Sequence, residues 1–167
     1  MIISIDETIP VICSALGRGQ RIRLTAGGGS MTPFIRDGDV CEVSPPSRLA
    51  LGHIVLAKSR SGKYCLHRIV KIVGDHFLLR GDAQDGLEGP FARSDILGRV
   101  TMSYRKGHAR ALDRGLWRFA GLIWVGTAPL GMRLLRLAIW ARSIGKNVAG
   151  AWWILKHFIT VKSVLPK

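Results

Sequence analysis

His53-Ile-Val-Leu-Ala57 and Tyr64-Cys-Leu-His67-Arg-Ile-Val-Lys-Ile-Val73 are the two stretches that decide the class of this chain. The first is apolar after His53, and the second mixes β-branched and aromatic residues with polar ones. Ser61-Gly62 punctuates the gap between them, so the pair reads as two strands joined by a turn. The same signature recurs outward at Arg21 to Thr25, Val40 to Val43, His76 to Leu79 and Ile96 to Met102. Gly or Pro interrupts at Gly38, Pro45-Pro46, Gly52, Gly74 and Gly86 to Pro90. Short strands at close intervals predict an all-β sandwich or barrel rather than βαβ units. Upstream, Ile9, Ile12 and Leu16 fall at helical spacing and predict a helix over 6–16 with Pro10 in its first turn. From His108 the pattern turns helical, with about three helices broken near 127–131 and 145–147. There Arg110, Arg114 and Arg118 repeat every four residues beside an apolar stripe of Leu112, Leu116, Phe119 and Ile123. The expected organisation is an N-terminal helical segment over 1–17, a β-rich domain over 18–104 and a basic, hydrophobic helical tail over 105–167.

The 167 residues carry a net charge of +14, and the charge is lopsided: of 11 Asp and Glu, Asp113 alone lies after residue 100. The same last third holds all five Trp, at 117, 124, 140, 152 and 153, among runs of Leu, Ile and Ala. Basic residues set among Trp and apolar runs fit a membrane interface or a protein groove, whereas nucleic-acid arms are polar between their charges. No specific nucleic acid is expected. The longest uncharged run, Phe119 to Met132, falls short of the about 20 residues that a spanning helix needs. Residues 108–167 are therefore expected to lie on an anionic membrane surface, at its cytoplasmic face; a tilted span or hairpin, and packing on the β-domain or a partner protein, are the alternatives.

Cys13, Cys41 and Cys65 are odd in number and form no C-x-x-C pair, which predicts free thiols in a reducing compartment. Cys65 and His67 lie two apart, a spacing at which a metal can be shared. No other ligand cluster adjoins them in sequence, so Cys65 reads as a small strand residue, and neither metal nor organic cofactor is expected. The first ten residues carry Asp6 and Glu7 where a secretory signal needs a basic region, and no long apolar run follows. Export by the usual route is not expected.

A serine hydroxyl becomes a nucleophile when a base takes its proton and backbone donors hold the resulting oxyanion. Gly27-Gly28-Gly29 before Ser30 allows a tight turn that presents N–H groups without side chains in the way. By itself that run is an ordinary flexible loop. It is followed, in order, by Ser30-Met31-Thr32-Pro33, Gly38-Asp39-Val40, Gly52-His53-Ile54-Val55, His67-Arg68-Ile69-Val70, Gly81-Asp82 and Leu97-Gly98-Arg99-Val100. This ordered series resembles the type I signal peptidases and the LexA-type self-cleaving proteins, the S24 and S26 serine peptidases, over about residues 21–102.

The resemblance implies a mainly β, signal-peptidase/LexA-like catalytic domain followed by a helical C-terminal appendage. It implies Ser30 as nucleophile of a serine endopeptidase. Bacterial signal peptidases and LexA-type proteins place a lysine on the strand where this chain has His67. A histidine before Arg68-Ile69-Val70 is similar to the archaeal and endoplasmic-reticulum branch, where His67 would be the base, and an imidazole suits that task near neutrality. That branch supports its imidazole with a carboxylate, from a Gly-Asp block with a further Asp six residues later. Asp82 matches the first acid and is the first choice, Glu88 stands at the second position, and Asp85 lies between. Gly28, Gly29, Met31 and Pro33 would belong to the oxyanion hole and substrate groove, with the Ser30 N–H carrying much of the oxyanion's stabilisation.

The resemblance further implies a peptide or protein substrate, a leader or signal segment, bound as an extended strand. The family's membrane anchor before the serine has no counterpart in this sequence; the apolar, basic region follows the domain instead. His53 stands where the family has an acid and reads, like His76, as an exposed strand-entry residue, and Asp37 and Asp39 read as a solvated turn. Two alternatives accompany the peptidase reading. One is a self-cleaving regulator of the LexA type, for which Ala26-Gly27 is an Ala-Gly bond that precedes Ser30 and lies close to it. The other is a non-catalytic peptide-binding module that kept the fold.

Overall fold

The structure, a computed structural model, describes residues 5–59 and 61–127. Helix α1, Ile5–Gly17, turns Ile9, Ala15 and Leu16 onto the sheet, with Pro10 exposed in its second turn rather than its first. Eight strands follow: β1 Ile22–Thr25, β2 Val40–Ser44, β3 Ile54–Lys58, β4 Tyr64–Val73, β5 His76–Arg80, β6 Glu88–Phe91, β7 Ile96–Arg105 and β8 His108–Ala111. All pair antiparallel, in the order β1-β2-β7-β3-β4-β5-β6, with β8 added to β7. The mainly β class expected from sequence is the class observed.

Two cores lie on opposite faces of β3, which explains its unbroken apolar run. Ile54 and Leu56 join Leu16, Met31, Ile35, Cys41, Val43 and Val100 in one core. Val55 and Ala57 point the other way, to Ile69, Phe77, Leu79, Phe91 and Ile96. Alternate side chains of a strand face opposite sides, so a strand covered on both faces must be apolar throughout.

Strand β4 is shared between two partners. Tyr64 to Arg68 pair with β3, whereas β5 joins only from Arg68 onward. The outer edge of Tyr64 to His67 is thus left unpaired by the described strands, and so is one edge of β1.

Two strands escaped the sequence reading. Gly89-Pro90 lies inside β6, at the end of the strand order where proline is tolerated. The β7–β8 hairpin turns at Lys106-Gly107 and straddles position 104/105, where the sequence reading ends the β-domain. The expected helix from His108 is corrected: 108–111 is a strand, and helix α2 covers 115–127. Arg110 consequently lies on β8 and pairs with Asp39, not on a helical face with Arg114 and Arg118. Asp39 is no solvated turn residue. It is buried, Arg105 grips it at 2.6–3.0 Å, and that guanidinium holds its carboxyl below the usual range.

Helix α2 packs on the β-domain. The Trp124 indole donates to the Asp82 carbonyl at 3.0 Å, and Phe34 meets Trp117 and Trp124 edge-on. The Arg118 guanidinium sits against His53 Nε2. Leu116, Phe119 and Ile123 remain exposed. No helix among the described residues is long and apolar enough to cross a membrane. The expected helices beyond residue 127 and their breaks lie outside the described residues.

His53 is buried, contrary to the exposed position expected for it. The Ala50 N–H donates to its Nδ1 at 3.1 Å. Burial, with Arg118 and Arg99 nearby, pushes its pKa down to about 4. An unfolded histidine titrates near 6.5 and takes up a proton that the folded one refuses, so acidification from about pH 6.5 to about 4 must erode stability. That span, at about 1.36 kcal/mol per pH unit, sets a ceiling of about 3 kcal/mol. Chemical denaturation at several pH values should show wild type losing more stability across this window than His53→Gln. Parallel curves would remove His53 as the source.

Candidate active site

Ser30 opens a turn, residues 30–34, that a backbone clamp fixes. Its carbonyl accepts the Ala83 N–H at 2.8 Å, and Thr32 N–H returns to the Gly29 carbonyl at 3.1 Å. A Cβ at Gly81 would stand 2.8 Å from the Ser30 carbonyl and 2.5 Å from Gln84 Oε1, so glycine permits the close approach. Neither the hydroxyl nor the N–H of Ser30 makes a hydrogen bond among the described residues.

Gly28 takes φ +83°, the left-handed turn glycine allows, and its N–H donates to Asp37 Oδ1 at 2.8 Å. That amide is therefore engaged by Asp37, while Gly28 itself lines the groove with Ser30. Gly29 and Pro33 are exposed, and neither lines the groove. Met31 is buried in the core and forms part of the groove floor.

The groove beside Ser30 encloses about 600 Å³. Strand β1 supplies Ile22 to Thr25, β3 supplies Leu56, and β4 supplies Tyr64 and Leu66. Helix α1 adds Ile9, Val11 and Ile12, a contribution the sequence reading did not foresee. Its walls are mainly apolar, with Arg23 and Thr25 of β1 among them; it meets the two free strand edges, and no lysine lines it among the described residues.

His67 is buried on β4, and its Nδ1 lies 3.2 Å from Glu88 Oε2 on β6. The order of the acids expected from sequence is reversed here. Asp82 faces Arg68 instead, in a two-pronged pair with both contacts at 2.7 Å and both side chains almost fully buried. Arg68 also donates to the Gly52 carbonyl at 2.8 Å and lies over the Phe34 ring. Burial raises the Asp82 carboxyl above its ordinary range, against the opposing pull of Arg68. Asp85 sits in the exposed 84–87 loop.

Consecutive residues His67 and Arg68 point to opposite faces of β4, which is why one meets Glu88 and the other Asp82. Cys65 shares the His67 face, and burial together with the Glu88 charge pushes its thiol up to about 11.

One antiparallel sheet thus holds a glycine-flanked serine turn, clamped at Ala83, and a buried histidine–carboxylate pair on β4 and β6, with no contact between Ser30 and His67 among the described residues. The chain belongs to the S24-like peptidase family, whose profile matches residues 2–101, within the LexA and signal-peptidase superfamily. The match ends within β7, before β8 and α2. None of the curated proteins compared with the chain matches it.

Proposed function

We propose that the chain is a serine endopeptidase that cleaves a leader or signal segment of a peptide or protein through an acyl-enzyme. Ser30 is the nucleophile, His67 the base, and Glu88 the carboxylate that orients it. The observation that carries this reading is the Nδ1 contact of His67 with Glu88 at 3.2 Å, made on the strand bordering the Ser30 groove. A carboxylate on Nδ1 fixes the tautomer whose Nε2 has a lone pair for the serine proton, and it stabilises the imidazolium that forms. The unengaged Ser30 N–H is the donor at hand for the oxyanion. The catalytic bond between serine and base is often long in an unliganded peptidase and tightens with substrate.

Substrate lies along the groove as an added strand, using the open edges of β1 and of Tyr64 to His67 for backbone pairing. Apolar side chains of the substrate then meet Ile9, Val11 and Ile12 of α1. Self-cleavage at Ala26-Gly27 has less support. Ala26 is buried, its N–H donates to the Asp39 carbonyl, and its own carbonyl accepts the Gly38 N–H, so that bond is held within the fold.

The test is covalent labelling by a fluorophosphonate, with the modified residue located by peptide mapping. Label on Ser30 that is lost in His67→Ala supports the reading. A folded chain that never labels is the non-catalytic binding module instead. Gly81→Ala offers a finer check, because the new methyl group displaces the Ser30 carbonyl. A misplacement of about 1 Å can cost about 100-fold in rate, so turnover should fall on that scale. Turnover within twofold of wild type would show that the Gly81 contact does not set the serine's position.

A further inference from the structure

Cys65, His67 and Glu88 come from two strands, β4 and β6, and their donor atoms all lie within 4.8 Å of one another. We propose that these three side chains bind a single divalent cation of borderline softness, Zn²⁺ foremost, and that its binding takes His67 out of use as a base. The second half rests on the peptidase reading above; the first does not.

The donor set selects the ion. A thiolate, an imidazole and a carboxylate suit zinc, whereas magnesium and calcium prefer all-oxygen shells. Zinc holds such ligands at about 2.0–2.3 Å, which places tetrahedral neighbours roughly 3.3–3.8 Å apart. The His67–Glu88 pair already stands at 3.2 Å, and the cluster limit of 4.8 Å leaves about 1 Å to close by side-chain rotation. Cys65 and His67 are two apart on one strand, so their common direction is built into the backbone.

Three protein ligands leave a fourth position for water, as in open zinc sites. An entry route exists as well. Cys65 and Glu88 both line a cleft of about 480 Å³ between the start of β4 and β6, with Ser59, Pro90 and the exposed Lys63 at its walls. On binding, the Cys65 thiol loses its proton to solvent, and thiolate and carboxylate together balance the two charges of the cation.

The effect on His67 follows from the imidazole itself. A neutral ring has one nitrogen with a lone pair and one bearing a proton. Once the metal takes a lone pair, the other nitrogen carries the proton and cannot accept one from Ser30. Glu88 is drawn to the metal at the same time. The site thus makes the peptidase reversible in its response to zinc, without a zinc requirement for catalysis.

Cobalt(II) is the probe for the full-length chain, because a Cys–Co bond adds a thiolate-to-cobalt charge-transfer absorption. One equivalent should produce that band, excess Zn²⁺ should remove it, and both Cys65→Ser and Cys65→Ala should lack it while Cys13→Ser keeps it. Zn²⁺ should inhibit peptide turnover reversibly with EDTA. The concentration for half-inhibition should rise by more than about 100-fold in Cys65→Ser, above what loss of an outer-shell partner costs, with each variant normalised to its own metal-free rate. No band, or a band that survives both Cys65 substitutions, overturns the site. Cys65-dependent binding that leaves turnover unaffected overturns the inhibition. If the metal-free chain has no turnover at all, the peptidase reading fails and the cobalt band alone decides the metal site.

Discussion

Ser30→Ala is expected to abolish peptide turnover, by a factor on the order of 10⁶, the cost of removing the nucleophile from a serine protease. The same substitution should leave stability within about 0.5 kcal/mol, because it touches nothing that holds the turn together. The clamp on residue 30 is a backbone one, from the Ala83 N–H to the Ser30 carbonyl, and alanine retains it. The hydroxyl makes no hydrogen bond among the described residues, so its removal orphans no buried partner. A side chain without structural work, on a turn held by its own backbone beside the groove, is one whose loss the fold should tolerate. Steady-state turnover measured alongside thermal melting separates the two effects. A folded Ser30→Ala protein that still cleaves would exclude the acyl-enzyme route and move the search to a water-activating mechanism.

Much of the sheet was legible because its strands obey local rules. The run His53 to Ala57 and the mixed pattern of Tyr64 to Val73 each carry their own signature, and both reappear as strands within a residue of the expected ends. Strand β6 was not legible, since Gly89-Pro90 looks like punctuation and its pairing with Leu79 and Phe77 is a long-range fact. Strand β8 was hidden by coincidence: Arg110, Arg114 and Arg118 happen to fall at helical spacing, yet Asp39, some 70 residues upstream, fixes Arg110 on the sheet. His53 shows the same limit. Nothing in Gly52-His53-Ile54 announces that a helix after residue 114 will cover it.

The candidate site was half legible for a related reason. Ser30 and His67 sit in local patterns that sequence can display, whereas the choice of acid depends on which face of β4 each carboxylate reaches. The resemblance favoured Asp82, because Gly81-Asp82 matches the first acid of the family's block. Strand alternation then sends Asp82 to Arg68 and leaves His67 to Glu88.

That division of labour makes the two acids fail differently when neutralised. Asp82→Asn removes one half of an ion pair whose members are 1% and 2% exposed, and it strands the Arg68 guanidinium without its counter-charge. Breaking a buried pair from one side costs about 3–5 kcal/mol, so the expected result is a large drop in melting temperature. Because Trp124 also rests on the Asp82 carbonyl, the loss should loosen α2 and raise exchange of its amides. Glu88→Gln removes a carboxylate that is 39% exposed, where solvent absorbs the change, and stability should move by less than about 1 kcal/mol. Its effect belongs to kcat. Loss of an orienting carboxylate costs up to about 10⁴-fold in a triad, and partial exposure of Glu88 places the expected loss between about 10² and 10⁴. Measuring melting and kcat for both variants yields a crossed pattern, with Asp82→Asn unstable and Glu88→Gln folded but slow. A stable Asp82→Asn protein with the larger kcat loss would return the orienting role to Asp82 and require His67 to turn toward it in the working enzyme.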